Sequence, residues 1–241
     1  MRVGVFDSGI GGLTVLKTLY KHYPNNEYIY FGDTINLPYG SKTKEELIEL
    51  SKKDVDFLLS KKVDIIFIAC GTVSSNCINY LKEHYNIPIY DIITPTINCL
   101  NQSNYQNIGI IATERTIDSH VFKNNLNKNV IEIKTPDFVP AIENNRYDII
   151  DDLIDKYLSS YKGEIDALVL GCTHYPIIKN NLNKYLANKV KLLDMSELLL
   201  DKLSNHTNSS INIYYSELND TIIDNTERIM GIKNIDIQEK K

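Results

Sequence analysis

Leu170-Gly171-Cys172-Thr173-His174-Tyr175-Pro176 follows the apolar run 165–170 and precedes an amphipathic segment, so a cysteine stands where a buried strand should end. An earlier stretch repeats the arrangement. Val63-Asp64-Ile65-Ile66-Phe67-Ile68-Ala69-Cys70-Gly71-Thr72 and Glu164-Ile165-Asp166-Ala167-Leu168-Val169-Leu170-Gly171-Cys172-Thr173 each run from an aspartate through apolar residues to a small residue, a cysteine and a nearby threonine. The spacing from aspartate to cysteine is the same in both. In an open parallel sheet, ligands bind beyond the carboxyl ends of the strands, which is where both thiols fall. Two related half-sites, each offering one cysteine, are expected.

Outward from these stretches, 2–6 predicts a short buried strand, and Asp7-Ser8-Gly9-Ile10-Gly11-Gly12 a tight turn into a helix over 13–23. Asp7 and Ser8 either face a ligand from the strand end or cap the helix, which both residue types do well. The glycines do not match Gly-x-Gly-x-x-Gly, which gives a nucleotide site little support. A second strand over 28–31 leads to Pro38-Tyr39-Gly40, whose backbone amides suit a carboxylate because glycine permits close approach. Thr43-Lys44-Glu45-Glu46 has capping-box spacing and opens a helix reaching residue 60, with no chemistry assigned to it. The Cys70 strand is followed by a helix to about 85 and a strand over 89–93. Thr94-Pro95-Thr96 then breaks the pattern, which suggests a lobe boundary.

Ile108-Gly109-Ile110-Ile111-Ala112-Thr113 is similar to Val3-Gly4-Val5-Phe6-Asp7-Ser8, so the second half restarts the design of the first. Thr113 falls where Ser8 falls, with Thr116 close behind. The stretch 123–129 suggests polar turns, and Phe138-Val139-Pro140-Ala141-Ile142-Glu143 is a short apolar segment ending in a carboxylate. Helices over 147–161, 177–186, 197–203 and 221–230 and strands over 190–194 and 211–215 complete the reading. The expected fold is α/β, with two pseudo-symmetric three-layer lobes, mainly parallel sheets and an active site between them.

With 241 residues, 43% of them apolar and 24% charged, the chain is of ordinary globular composition and long enough to bury a sizeable core. A net charge of -5 spread along the sequence argues against a nucleic-acid partner. No run approaches the roughly 20 apolar residues of a membrane span, and no signal peptide precedes the first strand, so a cytoplasmic protein with no membrane contact is expected. Four cysteines without dense spacing suit a reducing compartment.

Two thiols at equivalent strand ends admit three readings. One acts as thiolate base while the other, as thiol acid, returns a proton to the opposite side of the same carbon, inverting a stereocentre. The start of the following helix favours the thiolate in each case. Alternatively Cys70, Cys172 and His174 bind zinc, although no Cys-x-x-Cys pair or well-spaced fourth ligand is present. Or the cysteines only pack, as buried cysteines often do. His174, two residues beyond Cys172, and Asp7 are candidate proton relays. Cys77 and Cys99 lie in helical patterns and receive no role.

Phe6-Asp7-Ser8-Gly9-Ile10-Gly11-Gly12-Leu13-Thr14-Val15-Leu16, Tyr30-Phe31-Gly32-Asp33-Thr34 with Pro38-Tyr39-Gly40, and Gly171-Cys172-Thr173-His174-Tyr175-Pro176 together resemble the signature segments of the glutamate racemase family, in the same order. The likeness extends over nearly the whole chain. It implies a cofactor-independent isomerase that interconverts L- and D-glutamate and supplies D-glutamate for peptidoglycan. It implies Cys70 and Cys172 as the acid/base pair, Asp7 and His174 as their helpers, and Glu143 as an assisting carboxylate. Ser8, Tyr39, Gly40, Thr72, Thr113 and Thr173 match substrate-binding positions, and Asp7, Pro38, Gly71, Thr116 and His174 join them as candidates. No metal is implied. The family chain returns to its first lobe near the end, giving lobes of 1–93 plus 194–241 and of 94–193. Members often form dimers, so a homodimer is an expectation.

Where the family usually has Ala-Cys-Asn-Thr, this chain has Ala69-Cys70-Gly71-Thr72. An asparagine there would contact the substrate's amino-acid head group, and losing a charge-assisted hydrogen bond costs about 1.5–3 kcal/mol. Ile92-Ile93-Thr94-Pro95 lacks the family's glutamate before proline, and Lys134-Thr135-Pro136-Asp137 also departs from the pattern. These differences raise the alternatives of an aspartate or related racemase, or of an impaired amino-acid-binding homologue. Aspartate racemases, however, usually carry Glu where this chain has His174.

Overall fold

The computed structural model describes residues 1–199 and 202–240. Its strands are β1 (Arg2–Asp7), β2 (Glu27–Gly32), β3 (Ile65–Ile68), β4 (Ile89–Asp91), β5 (Asn107–Ala112), β6 (Asn129–Lys134), β7 (Ala167–Leu170), β8 (Lys191–Asp194), β9 (Ser210–Tyr215) and β10 (Asp236–Glu239). They form two sheets, ordered β10-β9-β2-β1-β3-β4 and β6-β5-β7-β8. The strands of each sheet pair in parallel. The order β2-β1-β3-β4 recurs as β6-β5-β7-β8, which is the restart legible at Ile108. Strand pairing sets Phe6 beside Ile68 in the first sheet and Ile111 beside Leu170 in the second. Cys70 and Cys172 therefore emerge at matching heights, each beside the end of a central strand.

Helices fill the crossovers: α1 (Leu13–His22), α2 (Lys44–Ser60), α3 (Gly71–His84), α4 (Ile93–Gln102), α5 (Glu114–Asp118), α6 (Val121–Asn125), α7 (Phe138–Glu143), α8 (Ile150–Leu158), α9 (Lys179–Tyr185) and α10 (Asp220–Met230). Alternation along each strand sends side chains to two cores. Val3 and Val5 join an apolar cluster that runs on to Ile110 and Val169 of the second sheet. Phe6 and Ile68 face the other way, into a cluster with Leu47 and Leu58 of α2. Ile111 and Leu170 do the same in the second sheet, against Ile142, Ile154 and Leu182. The capping box at Thr43 is formed: its side chain accepts from the Glu46 N–H, and the Glu46 carboxylate accepts from the Thr43 N–H.

Two expectations are corrected. Thr94-Pro95-Thr96 does not break the chain but lies in the first turns of α4. Proline is tolerated there because those amides have no helical partner, and Asp91 Oδ1 takes the N–H groups of Ile93 and Thr94 at 2.9 and 2.7 Å. The polar stretch 123–129 contains the end of α6 and the start of β6, an edge strand without clean alternation. The strand β10 had no expectation at all; it is polar and mostly exposed, and pairs along β9. The helix expected over 197–203 falls partly outside the described residues, and a short 3-10 turn occupies Met195–Leu198.

Candidate active site

Each cysteine is placed by the same local logic. A four-residue apolar strand, Ile65–Ile68 or Ala167–Leu170, is fully buried, and the chain turns at a small residue immediately after it. Cys70 is the N-cap residue of α3, so its thiol lies by the free N–H groups that open a helix. The carboxyl ends of the two sheets face each other across a cavity of about 90 Å³. One water needs only about 10–15 Å³ of such space.

Twelve of the residues singled out in the sequence line this cavity. Asp7, Ser8, Pro38, Tyr39, Gly40, Cys70, Gly71 and Thr72 come from the first sheet's side, and Thr113, Cys172, Thr173 and His174 from the second's. Two do not line it. Thr116 is buried behind Thr113, with the two hydroxyls 3.0 Å apart. Glu143 stands behind His174. Ser41, Glu114, Pro136, Val139, Pro140 and Gly171 also line the cavity and were not assigned. Gly171 sat within the decisive stretch, and Pro136 and Pro140 lie just before and within the Phe138 segment, but neither residue type signals chemistry.

The two thiols have different partners. His174 Nδ1 lies 3.6 Å from Cys172 Sγ, and His174 Nε2 lies 2.6 Å from Glu143 Oε1. Burial works against the imidazolium, but the bonds to Cys172 and Glu143 prevail and hold His174 well above its usual pKa. Glu143 Oε1 also accepts the Ile10 N–H at 3.3 Å, tying α7 to the glycine turn of the first sheet.

On the other side, Asp7 Oδ2 accepts from the Gly12 N–H and from Thr173 Oγ1 at 3.1 Å, while Asp7 Oδ1 is buried with no hydrogen-bond partner. Burial raises the Asp7 carboxyl, offset in part by His174 and by the bonds it accepts. Burial, and then the Asp7 charge, push the Cys70 thiol up, while the N–H groups of Val73 and Thr72 pull it down. Asp7 faces the cavity and its carboxylate accepts the N–H of Gly12, but the N-cap position of α1 is Gly12 itself, so neither Asp7 nor Ser8 is the helix cap.

The glycine turn has its own explanation. A β-carbon on Gly9 would meet Leu37 and Glu143, and one on Gly11 would meet His174 and Thr173. These glycines make room for side chains, those of Leu37 and, from the second half of the chain, Glu143, Thr173 and His174. Further bonds cross the cleft: Thr72 Oγ1 lies 3.0 Å from Thr113 Oγ1, and Thr14 Oγ1 donates to the Thr173 carbonyl at 3.0 Å. Among the described residues, no three His, Cys, Asp or Glu side chains gather as a metal site would require. No helix among them is long and apolar enough to cross a membrane.

The Asp/Glu/Hydantoin racemase family model matches residues 21–203. The glutamate racemase of Aquifex aeolicus (strain VF5) is 35% identical over 227 residues, which is 90% of this chain and 89% of that one. The crystal structure of glutamate racemase isoform RacE1 from Bacillus anthracis superposes with a TM-score of 0.92 at 26% identity, covering 100% of this chain and 97% of that one. The Francisella tularensis enzyme, solved in complex with D-glutamate, gives a TM-score of 0.88 at 33% identity, with 100% and 97% covered.

Proposed function

The chain belongs to the Asp/Glu/Hydantoin racemase family, and we infer that it is an amino-acid racemase that interconverts L- and D-glutamate. The observation that carries this reading is the pair of cysteines at equivalent strand ends, lining one cavity from opposite sheets. One thiolate removes the α-proton and becomes a thiol. The other thiol gives its proton to the opposite face and becomes the thiolate. Protons balance over the turnover, and the two cysteines exchange states. Asp7 assists Cys70. His174, oriented by Glu143, assists Cys172.

Asp7 Oδ1, lacking a protein partner, suits the substrate ammonium. The threonines at 72, 113 and 173, with Ser8 and the amides around Gly40, suit its carboxylates, and Thr116 acts by orienting Thr113. The aspartate alternative is not favoured, because the solved and curated relatives matched over most of the chain are glutamate racemases. We further propose that the enzyme works without a cofactor, supplies D-glutamate for peptidoglycan and hence cell-wall biogenesis and cell shape, resides in the cytoplasm and forms a homodimer. The lobes are assigned as 1–93 plus 194–241 and 94–193, a division that the membership of the two sheets supports.

The test is proton NMR in D2O with EDTA, following loss of the α-hydrogen signal of L-glutamate and formation of the D-form. Cys70→Ser and Cys172→Ser should each lower racemisation by about 10²–10⁴-fold, the range for a positioned acid or base, with circular dichroism unchanged. Full activity in either variant rejects the two-thiol mechanism. Exchange with L-aspartate alone would reassign the substrate.

A further inference from the structure

Tyr39 lines the cavity, and its buried hydroxyl lies 2.7 Å from Asp33 Oδ2 and 3.1 Å from Asp54 Oδ2. All three residues are buried. A phenol has one hydrogen to donate, and an ionised carboxylate has none, so both short O···O approaches are hydrogen bonds only if one carboxyl carries a proton. Asp33 is the poorer candidate, because Asn36 Nδ2 donates to both of its oxygens, at 3.1 and 2.9 Å. Asp54, in the middle of α2, is the better one. Burial and the neighbouring Asp33 charge both push its carboxyl well above the usual range, against the bond from Tyr39 and a weaker pull from Lys240.

We propose that Asp54 is protonated and donates to the Tyr39 hydroxyl, which donates in turn to Asp33, so that Asp54 is a positioning residue for the Tyr39 side of the substrate cavity. The route to the site is short. Gly40, next in the chain, packs so closely on Thr113 that a β-carbon on it would come within 2.9 Å of Thr113 Cβ. Thr113 meets Thr72 across the cleft. A tilt of the Tyr39 ring would therefore reach two threonines placed at the substrate. Only the kinetic arm of the test rests on the glutamate reading above.

Asp54→Asn keeps a donor at the position of the acid proton, Asp54→Ala removes it, and Tyr39→Phe removes the hydroxyl while keeping the ring. The infrared spectrum of the wild type minus that of Asp54→Asn should show a protonated-carboxyl C=O stretch. KM for glutamate should rise at least about fivefold in Asp54→Ala and Tyr39→Phe, with kcat changed less, and stay within about twofold of the wild type in Asp54→Asn. No difference band overturns the proton assignment. KM within about twofold of the wild type in Tyr39→Phe, or in a folded Asp54→Ala, overturns the positioning role, and an Asp54→Asn variant whose KM rises as far as in Tyr39→Phe overturns the neutral donor at position 54. A wild type inactive on glutamate would reject the proposed function, while the infrared band would still decide where the proton lies.

Discussion

A β-carbon on Gly71 would stand 2.7 Å from the carbonyl oxygen of Gly171, closer than real side chains approach. The obstacle is backbone, and it is pinned: the Gly171 N–H donates to the Ile111 carbonyl at 2.8 Å. The two cysteine turns thus touch through their glycines, and any side chain at 71 must push the sheets apart or deform one strand end. Gly71→Ala, and equally Gly71→Asn with the usual family residue, should lower kcat/KM for glutamate by about tenfold or more, since small displacements of positioned groups are costly. Local propensity alone predicts the reverse for alanine, because Gly→Ala in a helix stabilises by up to about 1 kcal/mol. Unchanged kcat/KM in both variants, measured beside the melting temperature, would show that the contact yields freely.

Glu143→Gln separates the charge on the carboxylate from its shape. The His174 pKa is raised in the folded protein, so its stabilising contribution is complete below the unfolded value of about 6.5 and is lost as pH rises through the folded pKa. The wild type should therefore melt above Glu143→Gln by the widest margin near pH 6, with the gap closing into the alkaline range. Racemisation should fall about tenfold, less than for a cysteine, because Glu143 acts through the imidazole. A gap in melting temperature that widens with pH contradicts this account.

Asp7→Asn should show the opposite pairing of stability and activity. A carboxyl raised by burial costs stability as pH climbs from about 3.9 through the folded pKa. Asparagine removes that cost and keeps an acceptor for Gly12. The melting temperature at pH 8 should be unchanged or higher, while kcat falls at least about tenfold for want of a charge beside Cys70. A loss of more than about 4 °C, roughly 1–2 kcal/mol at this chain length, would mean that the charge holds the turn together.

Much of the fold was legible because it rests on local signals. Short β-branched runs ending in Cys70 and Cys172, the repeated opening at Ile108 and the Thr43 capping box each write their structure into a few adjacent residues. The strands β6 and β10 did not, because most of their residues are exposed or only partly buried, which leaves neither a continuous apolar run nor one consistently apolar face to mark them. Thr94-Pro95-Thr96 misled because proline ends a helix only from inside it, and Asp91 supplies the cap that lets one begin.

The sequence by itself determined the two half-sites, their thiols and the nearby His174, since each set lies within one strand end and its turn. Only the tertiary structure decided what surrounds them. It brought Glu143 onto His174, Thr173 onto Asp7, Asp54 behind Tyr39 and Gly171 against Gly71. These pairs join side chains or backbone far apart in the chain. Charge, burial and closest approach exist only once the sheets have met, so no local pattern could encode them.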